Sequence, residues 1–149
     1  MKERTLVLIK PDGVERRLAG LALDRLEATG LELAAIRVVK VTDKLARDHY
    51  REHEGKPFFE SIVKFLKGDL NPGAKGRVYA MAFTGEDAVA AVRRAVGATN
   101  PDNAAPGTIR SSFGRNRNGV MENIIHASSN PSDAERELAL WFRPEDFTQ

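Results

Sequence analysis

Residues 4–13 read Arg-Thr-Leu-Val-Leu-Ile-Lys-Pro-Asp-Gly. The apolar run Leu6 to Ile9 stops at Lys10, and the turn-forming trio Pro11-Asp12-Gly13 follows at once. A short apolar run closed in this way reads as a buried strand. Working outward, Leu18, Leu21, Ala22, Arg25, Leu26 and Thr29 fall near helical spacing over 16–28, and Gly30 acts as the stop. Residues 31–41, rich in Val, Ile, Leu and Ala, predict a second strand. Thr42 caps a predicted helix over 43–53, and Pro57 opens another in which Phe58, Ile62, Phe65 and Leu66 follow a period near 3.6. A loop is expected over 68–76, a third strand over 77–84 and a helix over 86–96. Residues 97–121 carry Gly, Pro and Asn without a periodic pattern, and long stretches of that kind are usually functional or disordered. A short strand over 122–126 ends at His126. Asn130-Pro131 then starts a last helix to about Phe142, with Asp133 placed as in a capping box. This order predicts an α+β fold, a ferredoxin-like sandwich with a four-stranded antiparallel sheet covered by helices. Such a fold hosts unrelated activities and does not supply a function.

The chain has 149 residues, and no repeat, linker or low-complexity tract divides it, so a single domain over 1–149 is expected. Cysteine is absent, which removes disulfides, thiolate chemistry and cysteine metal sites. No apolar run approaches a signal-peptide core or a membrane span, so a cytoplasmic protein with no membrane partner is expected. The formal net charge is +2, from 23 basic and 21 acidic residues, too small to argue for nucleic-acid binding unless several basic groups converge on one cleft.

His126 stands where Asn123-Ile124-Ile125 runs out, followed by the small residues Ala127, Ser128 and Ser129. Glu137, on the second turn of the following helix, suits a hydrogen bond to one imidazole nitrogen, leaving the other free to attack. A packed or surface histidine explains the same spacing, and more often. Lys10, His53, Arg93, Thr99 and Arg110 are of the types that hold phosphate oxygens, and equally of the types that make a solvated surface. Neither GxxxxGK[ST] nor GxGxxG occurs, nor does HExxH, so a P-loop enzyme, a protein kinase and a paired-histidine metalloenzyme are excluded.

Taken together and in order, TLVLIKPDGV, HYREHEGKPFF, GATNPDNAAPGTIR, NIIHASS and AERELALWF resemble the nucleoside diphosphate kinase family along almost the whole chain. The resemblance implies transfer of a terminal phosphate between nucleotides through a phosphorylated His126, oriented by Glu137 and Ser128. It implies that Arg93, Thr99, Arg110 and His53 hold phosphates, and that Lys10 and Asn123 meet the sugar hydroxyls, Lys10 also lying near the transferred group. Tyr50 would line the site beside Lys10, and Phe58 would stack on the base with Val120 opposite. Mg2+ would ride on the nucleotide phosphates with few or no protein ligands, and the chain would form a homo-oligomer, hexamer or tetramer. Pro101 would lie near subunit contacts.

The chain also departs from the family pattern. Met121-Glu122-Asn123 stands where Gly-Arg-Asn is common, and the stretch from Arg110 to Asn123 is about three residues longer than usual. Ala127-Ser128-Ser129 replaces Gly-Ser-Asp, residues 69–76 read as an insertion, and Arg17 replaces a glycine. Two other readings compete. Lys75 to Phe83 loosely matches the aromatic strand of an RNA-recognition module, but Arg77 stands where an aromatic is needed. A catalytically silent scaffold would not need His126, Arg93, Arg110, Lys10 and Asn123 all intact.

Overall fold

The computed structural model describes residues 1–148. Its central strand is β1 (Lys2–Ile9), buried from Thr5 to Ile9. A short helix, α1 (Pro11–Glu15), and then α2 (Ala19–Glu27) lead to β2 (Glu32–Lys40). Helices α3 (Asp43–His49) and α4 (Phe59–Lys67) precede β3 (Arg77–Glu86), and α5 (Ala88–Val96) follows it. After α6 (Ile109–Phe113) comes a two-stranded hairpin, β4 (Arg115–Arg117) and β5 (Val120–Glu122). Strand β6 (Ile125–Ala127) and α7 (Pro131–Trp141) complete the order. The main sheet runs β2-β3-β1-β6, and each of its three pairings is antiparallel. The α+β expectation holds in class, strand number and direction.

Strand alternation divides the core between two faces. Leu6, Leu8, Ala80 and Ala82 pack with Ala46 of α3, Phe59, Val63 and Leu66 of α4, and Leu138 and Trp141 of α7. Val7, Ile9, Met81 and Phe83 pack with Ala22 and Leu26 of α2, Val92 and Val96 of α5, and Ile109 of α6. Both faces of β1 are covered, which is why its sequence is a continuous apolar run rather than an alternating one.

Several boundaries differ from those predicted. Pro11-Asp12-Gly13 was expected to make a turn and instead opens α1, with Pro in the first turn where its missing N–H is harmless. The predicted helix over 43–53 closes at His49 and continues as a 3-10 turn over Arg51–His53. Thr42 does cap α3, accepting from the Leu45 N–H at 3.1 Å. Asn130 caps α7 by accepting from the Asp133 N–H at 2.8 Å, but Asp133 returns the contact to the Asn130 side chain rather than to its backbone. The stretch over 97–121 is ordered into a 3-10 turn, α6 and the hairpin. The extra residues after Arg110 close that hairpin through Asn118 and Gly119, both at positive φ as a tight hairpin turn requires. Residues 69–76 are anchored by Ala74, which is fully buried, and by Glu15, which accepts from Asn71 Nδ2 at 2.9 Å and the Gly73 N–H at 2.8 Å.

The predicted strand over 122–126 divides into the end of β5 and β6, and Gly13 lets α1 lie close to Ile124 in the turn between them. A Cβ there would come to 2.9 Å from Ile9 Cγ2 and 3.0 Å from the Ile124 carbonyl oxygen. Gly13→Ala should therefore destabilise the protein by about 1–3 kcal/mol through overpacking, despite alanine's better helix propensity. Thermal melting checks this, and an unchanged or raised Tm would show that α1 is not held against Ile124.

Candidate active site

β6 lies beside β1 with His126 opposite Leu8, so the histidine is carried by a strand in the main sheet. The chain reaches it through an unusual turn. Ile124 has φ of 58°, rare for a β-branched residue, and the Ile125 N–H donates to the Asn123 carbonyl at 2.7 Å. That pattern is a γ-turn of the strained, positive-φ kind. Two groups beyond the end of β1 hold it. Asp12 Oδ2 accepts from the Ile124 N–H at 2.9 Å, and the Lys10 N–H donates to the Ile124 carbonyl at 2.9 Å. Burial pushes the Asp12 carboxyl up, while Lys10 and the Ile124 N–H oppose the shift.

The side chain of His126 is 17% exposed, and its Nε2 sits 2.9 Å from Glu137 Oε1. Ser128 Oγ donates to the same oxygen at 2.7 Å and accepts from the Leu6 N–H at 3.2 Å. Burial pushes the Glu137 carboxyl up, but the His126 and Ser128 hydrogen bonds, with Arg136 nearby, outweigh it and hold it below the usual range. A carboxylate on Nε2 requires the proton there, which leaves the lone pair of a neutral imidazole on Nδ1.

Lys10 donates through Nζ to Asn123 Oδ1, and Asn123 Nδ2 donates to the Thr99 carbonyl at 2.9 Å. Arg110 is buried. It gives Nη1 to the Gly97 carbonyl at 3.1 Å and Nη2 to the Ile125 carbonyl at 2.6 Å, gripping the residue before His126. Burial, then the nearby Arg93, depress Arg110 to about 10, so it remains cationic at neutral pH. Arg93 is exposed on α5 and lines a cavity of about 530 Å3 with Ser129 and Asn130. Phe58 is 46% exposed, 5.3 Å from the His53 ring and below Lys56 Nζ. His53 in turn lies 6.2 Å from the Tyr50 ring, which joins this aromatic group to the rest. Burial, then Glu137 and Asp12, push the Tyr50 phenol up. Val120 is paired with Arg117 on the hairpin.

A larger cavity lies elsewhere. It measures about 670 Å3 beside α7, between Arg4, Leu138, Phe142 and Phe147, and holds none of the predicted site residues. Sequence reasoning passed over Asp12, read only as a turn former, and His49, whose ring packs on His126. Both lie inside the quoted segments TLVLIKPDGV and HYREHEGKPFF, which was the available signal.

A sequence profile of nucleoside diphosphate kinases matches residues 3–147. The chain belongs to the nucleoside diphosphate kinase family. It is 48% identical over 143 residues to the nucleoside diphosphate kinase of Mycolicibacterium vanbaalenii, covering 95% of this chain and 98% of that one. Among solved structures it is similar to the Halobacterium salinarum enzyme in complex with CDP, at TM-score 0.87 and 40% identity over 100% of this chain and 93% of the other. It is also similar to the Borrelia burgdorferi enzyme in a transition-state mimic with vanadate and ADP, at TM-score 0.88 and 32% identity, over 99% and 91%. The chain is thus a nucleotide phosphotransferase, and no helix among the described residues is long and apolar enough to cross a membrane.

Burial lowers Lys10 to about 8, with Asp12 opposing and Arg110 reinforcing the shift. Its ammonium is therefore lost from the free enzyme as pH rises through about 8, and kcat/KM should fall with it. In kcat the same limb should move to higher pH, because bound phosphate favours the charged form. Lys10→Gln should abolish the limb. A wild-type kcat/KM that stays level across this range would separate Lys10 from the reaction.

Proposed function

We propose that this chain moves the γ-phosphate of a nucleoside triphosphate to a nucleoside diphosphate in two half-reactions, through phosphohistidine at His126. The Nδ1 lone pair attacks the γ-phosphorus as its bond to the β,γ-bridging oxygen breaks, and the diphosphate leaves with that electron pair. A terminal phosphate oxygen of the second nucleotide then attacks the phosphorus and returns His126 to its starting state. The observation that carries this reading is the bond from His126 Nε2 to the buried Glu137, because it fixes the tautomer and offsets positive charge as the ring becomes substituted. Ser128 holds the carboxylate in place.

Arg110 and Arg93 supply charge for the phosphates, with the Thr99 hydroxyl and His53 as further donors. Lys10 and Asn123, already bonded to one another, meet the sugar hydroxyls, and Lys10 lies near the transferred group. Tyr50 lines the cleft between Lys10 and His53. Phe58 offers an open ring face, and stacking accepts any base because every base has a π-face, with Val120 on the opposite side. Among the described residues the single cluster able to hold a metal is His49, His126 and Glu137, a nitrogen-rich set unlike the oxygen shell that Mg2+ takes. Mg2+ is accordingly assigned to the nucleotide phosphates, where it neutralises their charge. Leu21, Ile36 and Val38 are exposed on α2 and on the edge strand β2, which supports assembly as a homo-oligomer, hexamer or tetramer. We place the reaction in the cytoplasm.

Incubation with γ-labelled ATP and Mg2+ should leave acid-labile label on the protein and then pass it to GDP, CDP or UDP with ping-pong kinetics. His126→Ala should abolish both steps while melting like the wild type. Undiminished transfer in a folded His126→Ala variant, or initial-velocity lines that demand a ternary complex, would defeat the reading.

A further inference from the structure

His49 ends α3 and is 1% exposed. Trp141 Nε1–H donates to its Nδ1 at 3.0 Å. An indole nitrogen only donates, so His49 Nδ1 must accept and its proton must sit on Nε2. That Nε2–H is buried and has no hydrogen-bond partner among the described residues. Leaving such a group unpaired costs about 1–3 kcal/mol, so its persistence calls for a reason. The His49 ring packs edge-to-face on the His126 ring, with centroids 4.5 Å apart and planes at 78°. His49, His126 and Glu137 bring one nitrogen or oxygen each within 4.8 Å of one another.

The surrounding structure holds His49 in this place. Arg136 of α7 donates to the Asp48 carbonyl at 3.1 Å and the His49 carbonyl at 3.4 Å, tying the end of α3 to the helix that carries Glu137. Trp141, from the same helix, fixes the far side of the ring. Burial, then His126, Arg136, Lys10 and His53, all work against protonation, so His49 stays a neutral donor.

We propose that His49 is a positioning residue for phosphoryl transfer: its edge-to-face contact and the Glu137 bond together hold the His126 ring with Nδ1 turned to the incoming phosphorus. Glu137 alone leaves the ring free to swing about the Nε2–Oε1 axis, and the crossed His49 ring stops that swing. A near-attack alignment of this kind affects the rate of the chemical step rather than nucleotide binding. The proposal rests on His126 being the nucleophile.

The test compares wild type, His49→Phe, His49→Gln, Trp141→Phe and His126→Ala in single-turnover phosphorylation by saturating ATP-Mg2+. ADP affinity and the 15N shifts of the His126 ring are measured on each. His49→Phe keeps the crossed ring and should phosphorylate within about threefold of wild type. His49→Gln has polar atoms but no ring, and should slow phosphorylation by about tenfold or more while leaving ADP affinity within about twofold. Its His126 ring should still show one tautomer, because Glu137 continues to hold the Nε2 proton. If His49→Gln does not fold, Trp141→Phe serves, since it removes the bond that fixes the His49 ring, and it should slow phosphorylation by about threefold. A wild-type rate in His49→Gln or Trp141→Phe, or a tenfold loss in His49→Phe, with His126→Ala unlabelled, would overturn the role of His49 alone. Label on His126→Ala would instead overturn the nucleophile on which it rests.

Discussion

The bond from the Asp12 carboxylate to the Ile124 N–H holds the rest of the site in place. β1 is central in the sheet and carries Lys10 just past its end, while β6 pairs with it and carries His126. Between them lies a strained turn that a β-branched residue would not adopt by itself. A buried carboxylate aimed at its N–H, and the close packing of Gly13 beneath it, keep the turn as it is. The consequence is that Asn123 points to Lys10 and His126 emerges two residues after the turn. The groups proposed to handle phosphate and to attack it are thereby referenced to the same rigid strand, which is the arrangement positional catalysis asks for.

The electrostatics follow from that geometry. Lys10 and Arg110 are brought together at a site that desolvates both, and Arg93 adds a third positive charge. Because folding depresses Lys10 below its ordinary 10.5, its charge opposes folding at neutral pH. This contribution to stability recovers as pH rises from about 8 to 10.5. Concentrated, poorly solvated cations are what an anionic ligand relieves, so nucleotide phosphates and the folded state stabilise one another. The Glu137 carboxylate lies on the Nε2 side of the imidazole, with the Ser128 hydroxyl donating to it.

The sequence made the sheet legible because β1 and β3 are apolar runs and the amphipathic helices keep their period. It made His126, Glu137 and Ser128 legible because all three lie within a dozen residues of one another, along a strand end and one helix turn. Residues 97–121 were opaque for a physical reason. Their order comes from tertiary bonds, such as Asn116 Nδ2 to Asn100 at 3.0 Å and to Asp102 at 2.9 Å, that leave no periodic trace. Arg110 was read as a phosphate ligand, yet two of its donors grip the backbone at Gly97 and Ile125, a commitment visible only once both carbonyls are placed. Asp12 was hidden by its neighbours: Pro-Asp-Gly reads as a turn unless one knows that a backbone N–H far along the chain needs an acceptor. His49 stood inside a recognisable segment, but its contact with Trp141, far along the chain, left no local trace.

The proposed reaction requires that the tautomer imposed by Glu137 make Nδ1 of His126 the nucleophile. NMR of the phosphoenzyme, formed from ATP-Mg2+ on protein with 15N-labelled histidine rings, tests it most directly through phosphorus–nitrogen coupling. A single phosphohistidine is expected, at His126, with phosphorus bonded to Nδ1 and the Nε2 proton retained toward Glu137. Phosphorus on Nε2, or on a residue other than His126, would contradict it.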